Sequence, residues 1–310
     1  MQRREFFASA LAAPLLADDE PRRVGVIGSG GRGRFLIDQF KEVGARVAAV
    51  CDIYQPNLRK GLEGASTGAK PFEDYRKLLE DRSLDAVVIA TPDHWHSRMA
   101  IDAVEAGKDV YLEKPLAHKI DEGFALIAAV RRTRRILQVG TQRRSAEMFQ
   151  RARLSMPELG DVRLVTSMWL NTQAGLTERS LEGPLDWKQW LGSAPPRELD
   201  AKRFFNWYYF WDYSGGLLVG QAAHMVDAIQ WYMGSTQPAA VTCIGGRSNL
   251  AGAEVPETAN LTIEYPENYL ATFTLGYKTM RYNPFNDQMA QYHGSKARLD
   301  VGRESYALFP

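Results

Sequence analysis

Cysteine is scarce in this 310-residue chain: there are two, Cys51 and Cys243, each inside an apolar stretch. Neither belongs to a paired spacing of the kind that zinc ligands adopt, so no metal site is expected. Both read as small buried hydrophobes, and sequence supplies no geometry for a disulfide between them. Charge of one sign is missing too. The 38 Lys and Arg against 37 Asp and Glu leave a formal net charge of +1, with no basic or acidic block. Nucleic-acid recognition through a charged face is not indicated. No apolar run approaches the ~20 residues of a membrane span.

What is present is ordinary globular composition, 45% hydrophobic and 24% charged, enough for one large or two medium domains. The chain opens MQRREFFASALAAPLLADDE. Arg3-Arg4, a weakly apolar Ala-rich stretch and then three acids follow the grammar of an export signal. The paired arginines resemble the twin-arginine type. Residues 1–20 are therefore expected to be a leader outside the fold. The protein is then periplasmic or secreted, and cytoplasmic if the leader is not a signal.

Arg23–Ile27 is a short apolar strand running into Gly28-Ser29-Gly30-Gly31-Arg32-Gly33, with a helical pattern beyond. Gly28, Gly30 and Gly33 fit G-x-G-x-x-G, where the first glycine makes a tight turn and the backbone must approach a pyrophosphate. The helix N-terminus offers free N–H groups to that anion. A second strand, ARVAAVC, ends in Asp52, about 20 residues past the glycines, where the fingerprint places an acid for the ribose hydroxyls. An acid there favours NAD, with NADP left open.

Strand and helix then alternate. DAVVIA (85–90), Val110–Leu112 and Ile136–Gly140 read as strands, and Glu73–Leu79, Trp95–Ala106 and Ile120–Val130 as helices. This spacing predicts a doubly wound parallel sheet. Ligands bind outside the C-terminal ends of such strands. One rim should thus carry the glycine turn, Asp52, the segment Thr91-Pro92-Asp93-His94-Trp95-His96, the segment Glu113-Lys114-Pro115 and Thr141-Gln142-Arg143. Lys114 falls where the nicotinamide end of a dinucleotide would lie. There its ammonium can bond a substrate oxygen. His94 and His96 stand two apart and need not share a helix face, so a metal pair is not expected.

The glycine turn, TPDHWH, EKPL and the later GG-x(7)-H-x-x-D pattern resemble the Gfo/Idh/MocA oxidoreductases over residues 22–305. The resemblance implies that Lys114 activates a substrate hydroxyl and that His224 is the acid/base. It also implies that Thr91, Pro92 and His96 line the cofactor cleft. Many members carry an aspartate four residues before the histidine. Gly220 stands there in this chain, and Asp212 is a nearby candidate to replace it. Family members also continue into a further helical segment beyond the point where this chain ends.

From Asp161 the character changes. VRLVTSMWL reads as a long strand, Leu217–Met233 as a helix containing His224, and Ala240–Ile244, Ala259–Tyr265, Leu270–Leu275 and Met289–His293 as strands of an antiparallel sheet. The expected fold is therefore α/β: a Rossmann dinucleotide-binding domain over 21–143, then an α+β domain with a mostly antiparallel sheet over 144–310. The aromatic run RFFNWYYFWDYSGG reads chiefly as core, with Tyr208 a candidate for the substrate wall. Trp169 and Asn171 are further candidates, and Asp227 lies within reach of His224 on one helix face to orient it.

These features predict an NAD-dependent oxidoreductase acting on a sugar, polyol or cyclic alcohol, with no nucleic-acid partner, and a homo-oligomer. NAD is scarce outside the cytoplasm, so an exported enzyme should carry it tightly bound. The alternatives are redox-neutral NAD chemistry, a glycosidase or epimerase-type activity, and a non-catalytic nucleotide- or sugar-binding sensor.

Overall fold

The computed structural model describes residues 20–172, 175–283 and 286–310. The expected leader lies outside these residues, Glu20 apart. The chain packs as two compact units. The first takes residues up to Gly140 with 178–207 and 212–214; the second takes 141–177, 208–211 and 215–310.

The first unit is built on a six-stranded sheet. Its strands are β1 (Arg23–Ile27), β2 (Arg46–Cys51), β3 (Lys70–Phe72), β4 (Ala86–Ile89), β5 (Asp109–Leu112) and β6 (Leu137–Val139). They run in the order β3-β2-β1-β4-β5-β6, and every pair is parallel. The order reverses between β1 and β4, which is the switch point where such sheets bind ligands. Val26, Val47, Val50, Val87 and Val88 are wholly buried, as strands covered on both faces require. Each such side chain contributes roughly 1.5–3 kcal/mol relative to exposure.

Five helices cross between these strands: α1 (Gly31–Glu42), α2 (Gln55–Gly64), α3 (Tyr75–Leu79), α4 (Asp93–Glu105) and α5 (Ile120–Thr133). α1 buries Gly33, Leu36, Ile37 and Phe40, one face of a 3.6-residue period. α3 starts later than the pattern suggests, because the Asp74 carboxylate caps it by accepting the Arg76 N–H at 2.9 Å. α4 starts earlier, at Asp93, directly after Pro92. β3 escapes a sequence reading because Pro71 sits in its middle; as an edge strand paired only with β2, it tolerates the missing N–H.

The second unit is a seven-stranded sheet with a long helix packed against it. After helix α6 (Glu147–Leu154) come β7 (Val162–Asn171), α7 (Gly216–Met233), β8 (Ala240–Gly245), β9 (Thr258–Tyr265), β10 (Tyr269–Tyr277), β11 (Gln288–Gly294), β12 (Arg298–Gly302) and β13 (Tyr306–Phe309). The order is β13-β12-β11-β7-β10-β9-β8. All pairs are antiparallel except β7 with β10. Inward residues of β7 pair with those of β11: Val165 with Tyr292, Ser167 with Ala290, Trp169 with Gln288. Tyr292 stacks on Tyr232 of α7 at 5.2 Å. The expected stop at Gly234 is present, with φ 71° closing α7. β12 and β13 were not foreseen; they form a hairpin closed by the Gly302 N–H on the Ser305 carbonyl, with Leu299 and Val301 of β12 buried.

The α/β and α+β architecture is as the sequence predicts. One cysteine is not: Cys51 is buried on β2, but Cys243 is exposed on β8, the sheet's edge strand, and both are free thiols. Among the described residues no helix is long and apolar enough to cross a membrane.

Candidate active site

β1 delivers the chain into the glycine turn, where the backbone leaves no room for a substituent at Gly28 or Gly33. Gly28 has φ +84°, and a Cβ on it would lie 2.8 Å from the Ala90 carbonyl oxygen. A Cβ on Gly33 would come 1.9 Å from the Gly28 oxygen. By contrast a Cβ on Gly31 would meet nothing within 4 Å, and on Gly30 only Asn57 at 3.8 Å. The first and third glycines therefore serve packing, and the middle of the turn stays open. That is the cradle a pyrophosphate needs at the N-terminus of α1.

Asp52 closes the turn from behind. Its Oδ2 accepts the Ser29 N–H at 2.8 Å and the Ser29 hydroxyl at 3.3 Å, and Oδ1 accepts the Tyr54 N–H at 2.9 Å. Burial pushes the Asp52 carboxyl up, against those donors. Ser29 is wholly buried and faces inward, its hydroxyl within 3.0 Å of the Asn57 oxygen. Arg32 turns to Glu113, its Nε 2.5 Å from Oε1.

At the C-terminal end of β5, Glu113 is buried and also accepts the Lys114 N–H at 3.2 Å. Lys114 follows in a half-buried turn ending in a cis bond to Pro115. Burial pulls the Lys114 ammonium below its ordinary range, while the charges of Glu113 and Asp93 oppose the shift. The opening turn of α4 walls this region. Asp93 is 3% exposed and accepts the Ser214 hydroxyl at 2.7 Å; burial pushes its carboxyl up.

His96 was expected to line the cofactor cleft, yet both of its ring nitrogens are engaged by backbone. Nδ1 lies 2.6 Å from the Pro115 oxygen and Nε2 2.9 Å from the Thr91 oxygen. The ring thus ties the end of β4 to the Lys114-Pro115 turn. His94 is held differently, its Nε2 3.0 Å from the Trp190 oxygen, and burial lowers it to about 4. Trp95 donates its Nε1 proton to the same carbonyl at 2.8 Å. Asp212 is taken up by two cations of its own unit, Arg197 at 2.6 Å and Arg203 at 3.4 Å. His224 belongs to the second unit.

Gln142 and Arg143, expected on the cofactor rim, belong to the second unit, in the 3-10 turn Gln142–Ser145. Arg143 is buried among Met225, Phe149 and Trp169. His224 is buried on α7, and its ring stacks on Trp169 of β7 at 6.1 Å and 28°. Asp227, expected to orient His224, is held by Arg144, which meets both of its oxygens at 2.7 Å and 2.9 Å. Asn171 ends β7, its carbonyl accepting the Thr279 N–H. Tyr208 packs on Tyr209 with centroids 4.4 Å apart. Gln221 of α7 donates to the Tyr277 hydroxyl at 2.8 Å, and Gln288 of β11 stands across from Trp169. Gln221, Tyr277, Gln288 and Ser214 carried no signal in the sequence.

A six-stranded parallel sheet of this order, with an open glycine cradle at its switch point and an acid behind it, defines a dinucleotide-binding protein. Residues 22–141 match the model of the oxidoreductase family with NAD-binding Rossmann fold, GFO/IDH/MocA, and residues 184–300 match the GFO/IDH/MocA C-terminal domain. The chain belongs to the GFO/IDH/MocA oxidoreductases, and residues 22–141 form that family's NAD-binding Rossmann domain. Over 122 residues it is 35% identical to an alpha-N-acetylgalactosaminidase from Shewanella oneidensis, covering 36% of this chain and 27% of that relative. Over 130 residues it is 37% identical to an inositol 2-dehydrogenase from Rubrobacter xylanophilus, covering 41% and 37%. The matched stretches span well under half of these curated relatives. In fold it is similar to the WlbA dehydrogenase from Bordetella pertussis, crystallised with NADH and UDP-GlcNAcA. That likeness has a TM-score of 0.73 at 21% identity over 94% of this chain and 81% of the other.

Proposed function

We propose that the protein oxidises a ring-borne hydroxyl of a sugar, polyol or related cyclic alcohol. Gly28–Gly33 hold the NAD pyrophosphate, with Thr91, Pro92 and Glu113 shaping the rim. A nicotinamide bound there would supply the acceptor for the hydride of the carbinol carbon. Lys114 holds the hydroxyl oxygen through its ammonium and stabilises the developing alkoxide. His224 takes the hydroxyl proton, so the C–OH becomes C=O and one proton is left on the imidazole. The observation that carries this reading is Lys114 itself, a half-buried cation just past the C-terminal end of a parallel strand in the glycine turn's own sheet. Lys114→Met should cut turnover by roughly 10²–10³-fold, with folding unchanged by circular dichroism. Full activity in that variant would end the assignment.

The 35% identity to an alpha-N-acetylgalactosaminidase over the Rossmann part favours a second reading. In it a transient ketone acidifies the neighbouring C–H, that proton and the aglycone leave together as the alcohol, water adds across the resulting C=C, and the hydride held by the cofactor would then return to the carbonyl. Product analysis separates the two: a ketone or lactone with reduced cofactor, against a cleaved or isomerised sugar with none. Arg3-Arg4 and the apolar stretch behind them support export by the twin-arginine route. Loss of periplasmic protein in a host lacking that machinery would support it, and unchanged distribution would refute it. Exposed Val241 and Ile244 on β8 support a homo-oligomer, which sedimentation reads directly.

A further inference from the structure

Arg143 is 9% exposed, yet among the described residues no carboxylate forms an ion pair with its guanidinium. Among the described residues its guanidinium meets the thioether of Met225, 2.6 Å from Nη1. A thioether is a weak acceptor, and a buried charge is ordinarily paired. The remaining neighbours are rings: Phe149 at 5.2 Å and Trp169 at 5.8 Å from Cζ. A second guanidinium reaches the same indole, with Arg303 Cζ 5.6 Å from the Trp169 ring.

Among the described residues the acid that faces this pair, Asp287, is already engaged. Asp287 accepts Arg303 Nη2 at 2.9 Å and lies 3.4 Å from Gln288 Nε2. Two guanidiniums against one carboxylate leave an excess of one positive charge around Trp169. Two more buried polar atoms on this face lack partners among the described residues: Trp169 Nε1 and Gln288 Oε1. Trp169 and Gln288 are direct cross-strand partners on β7 and β11, so these atoms rise from adjacent positions of one sheet face. An indole N–H can only donate, and an amide oxygen can only accept. The set asks for a ligand with one negative charge, an acceptor and a hydroxyl donor.

We infer that the Arg143, Arg303, Trp169 and Gln288 cluster is an anion subsite, and that the substrate is a carboxylate-bearing sugar or polyol. This rests on the reading of the second unit as the substrate-binding one. Arg303, exposed at its side chain, meets the carboxylate first; Arg143 supplies field from beneath the ring. Gln288 accepts a ring hydroxyl. The single excess charge favours a carboxylate over a phosphate dianion.

The test is calorimetric titration of the full-length holoprotein with matched pairs: glucuronate and glucose, galacturonate and galactose, with glucose 6-phosphate as the dianion. At least one uronate should bind tenfold or more tightly than its neutral parent. Arg303→Gln should bring that ratio within threefold and leave the neutral sugar unaffected. Arg303 is half exposed, so this variant avoids the folding risk of changing Arg143. The proposal is overturned if no uronate binds, if every pair stays within threefold, or if the preference survives Arg303→Gln. It is overturned equally if the sugar phosphate outbinds the uronates. Nicotinamide reduction is read separately in the same samples. A uronate preference without reduction would sink the oxidoreductase reading and keep the subsite; reduction by neutral sugars without the preference would do the reverse.

Discussion

The Asp52 carboxylate accepts both the backbone N–H and the hydroxyl of Ser29, so the acid at the end of β2 braces the glycine turn itself. Its other oxygen holds the Tyr54 N–H that opens α2. An acid with a ribose role alone would leave the cofactor-free protein indifferent to its replacement. Asp52→Ala removes the acceptor from two buried N–H groups and should cost about 1–3 kcal/mol for each group left unpaired. Urea unfolding without NAD measures this. Unchanged stability together with weakened NAD binding would assign Asp52 to the ribose alone.

Part of this was legible in the sequence because it is local. A strand, three glycines at fixed offsets and a helical stripe at Leu36, Ile37 and Phe40 specify β1, the turn and α1 within 20 residues or so, the span of the fingerprint. The second unit's helix and most of its strands follow from period and stop signals in the same way. What failed was long-range partnership. The chain around Asp93 cannot announce Ser214, nor can His94 announce the carbonyl of Trp190. Asp227 stood beside His224 in sequence, and its true partner, Arg144, came from 83 residues away. Arg303 and Gln288 carry no motif at all; only the β7–β11 register brings Gln288 opposite Trp169.

His94 makes stability depend on pH in a definite direction. Burial lowers the folded-state value to about 4, against 6.5 for an ordinary histidine. Between those values the unfolded chain binds more protons, so stability falls as pH falls. The contribution is full above the unfolded value of 6.5 and is lost on descending to about 4, a difference of about 3 kcal/mol. His94→Gln keeps a donor for the Trp190 carbonyl and removes the titration. Its urea midpoint should drop less than the wild type's between pH 7 and pH 4.5. Parallel slopes for the two proteins would show that His94 is not buried neutral.

Asp227 gives a contrast between anchoring and catalysis. Its two oxygens meet Arg144 in a fork, but Arg144 is 46% exposed at its side chain, so screening limits what the pair is worth. Asp227→Asn should lower stability by under about 1 kcal/mol and leave turnover within twofold or so of wild type. A loss of turnover beyond tenfold, with KM unchanged, would mean that Asp227 orients His224 after all.

Lys114 sets the alkaline limit of turnover. Stabilising an alkoxide needs the ammonium, and burial lowers the pH at which that proton is lost. The rate with saturating substrate should therefore decline at a pH below the ordinary lysine value of about 10.4. Lys114→Arg keeps a cation at every accessible pH, though its planar fork presents the charge differently. That variant should turn over more slowly and lose the alkaline decline. Were the decline to persist in Lys114→Arg, the titrating group would be another residue. Were it to vanish in His224→Ala while persisting in Lys114→Arg, the roles assigned to the two residues would have to be exchanged.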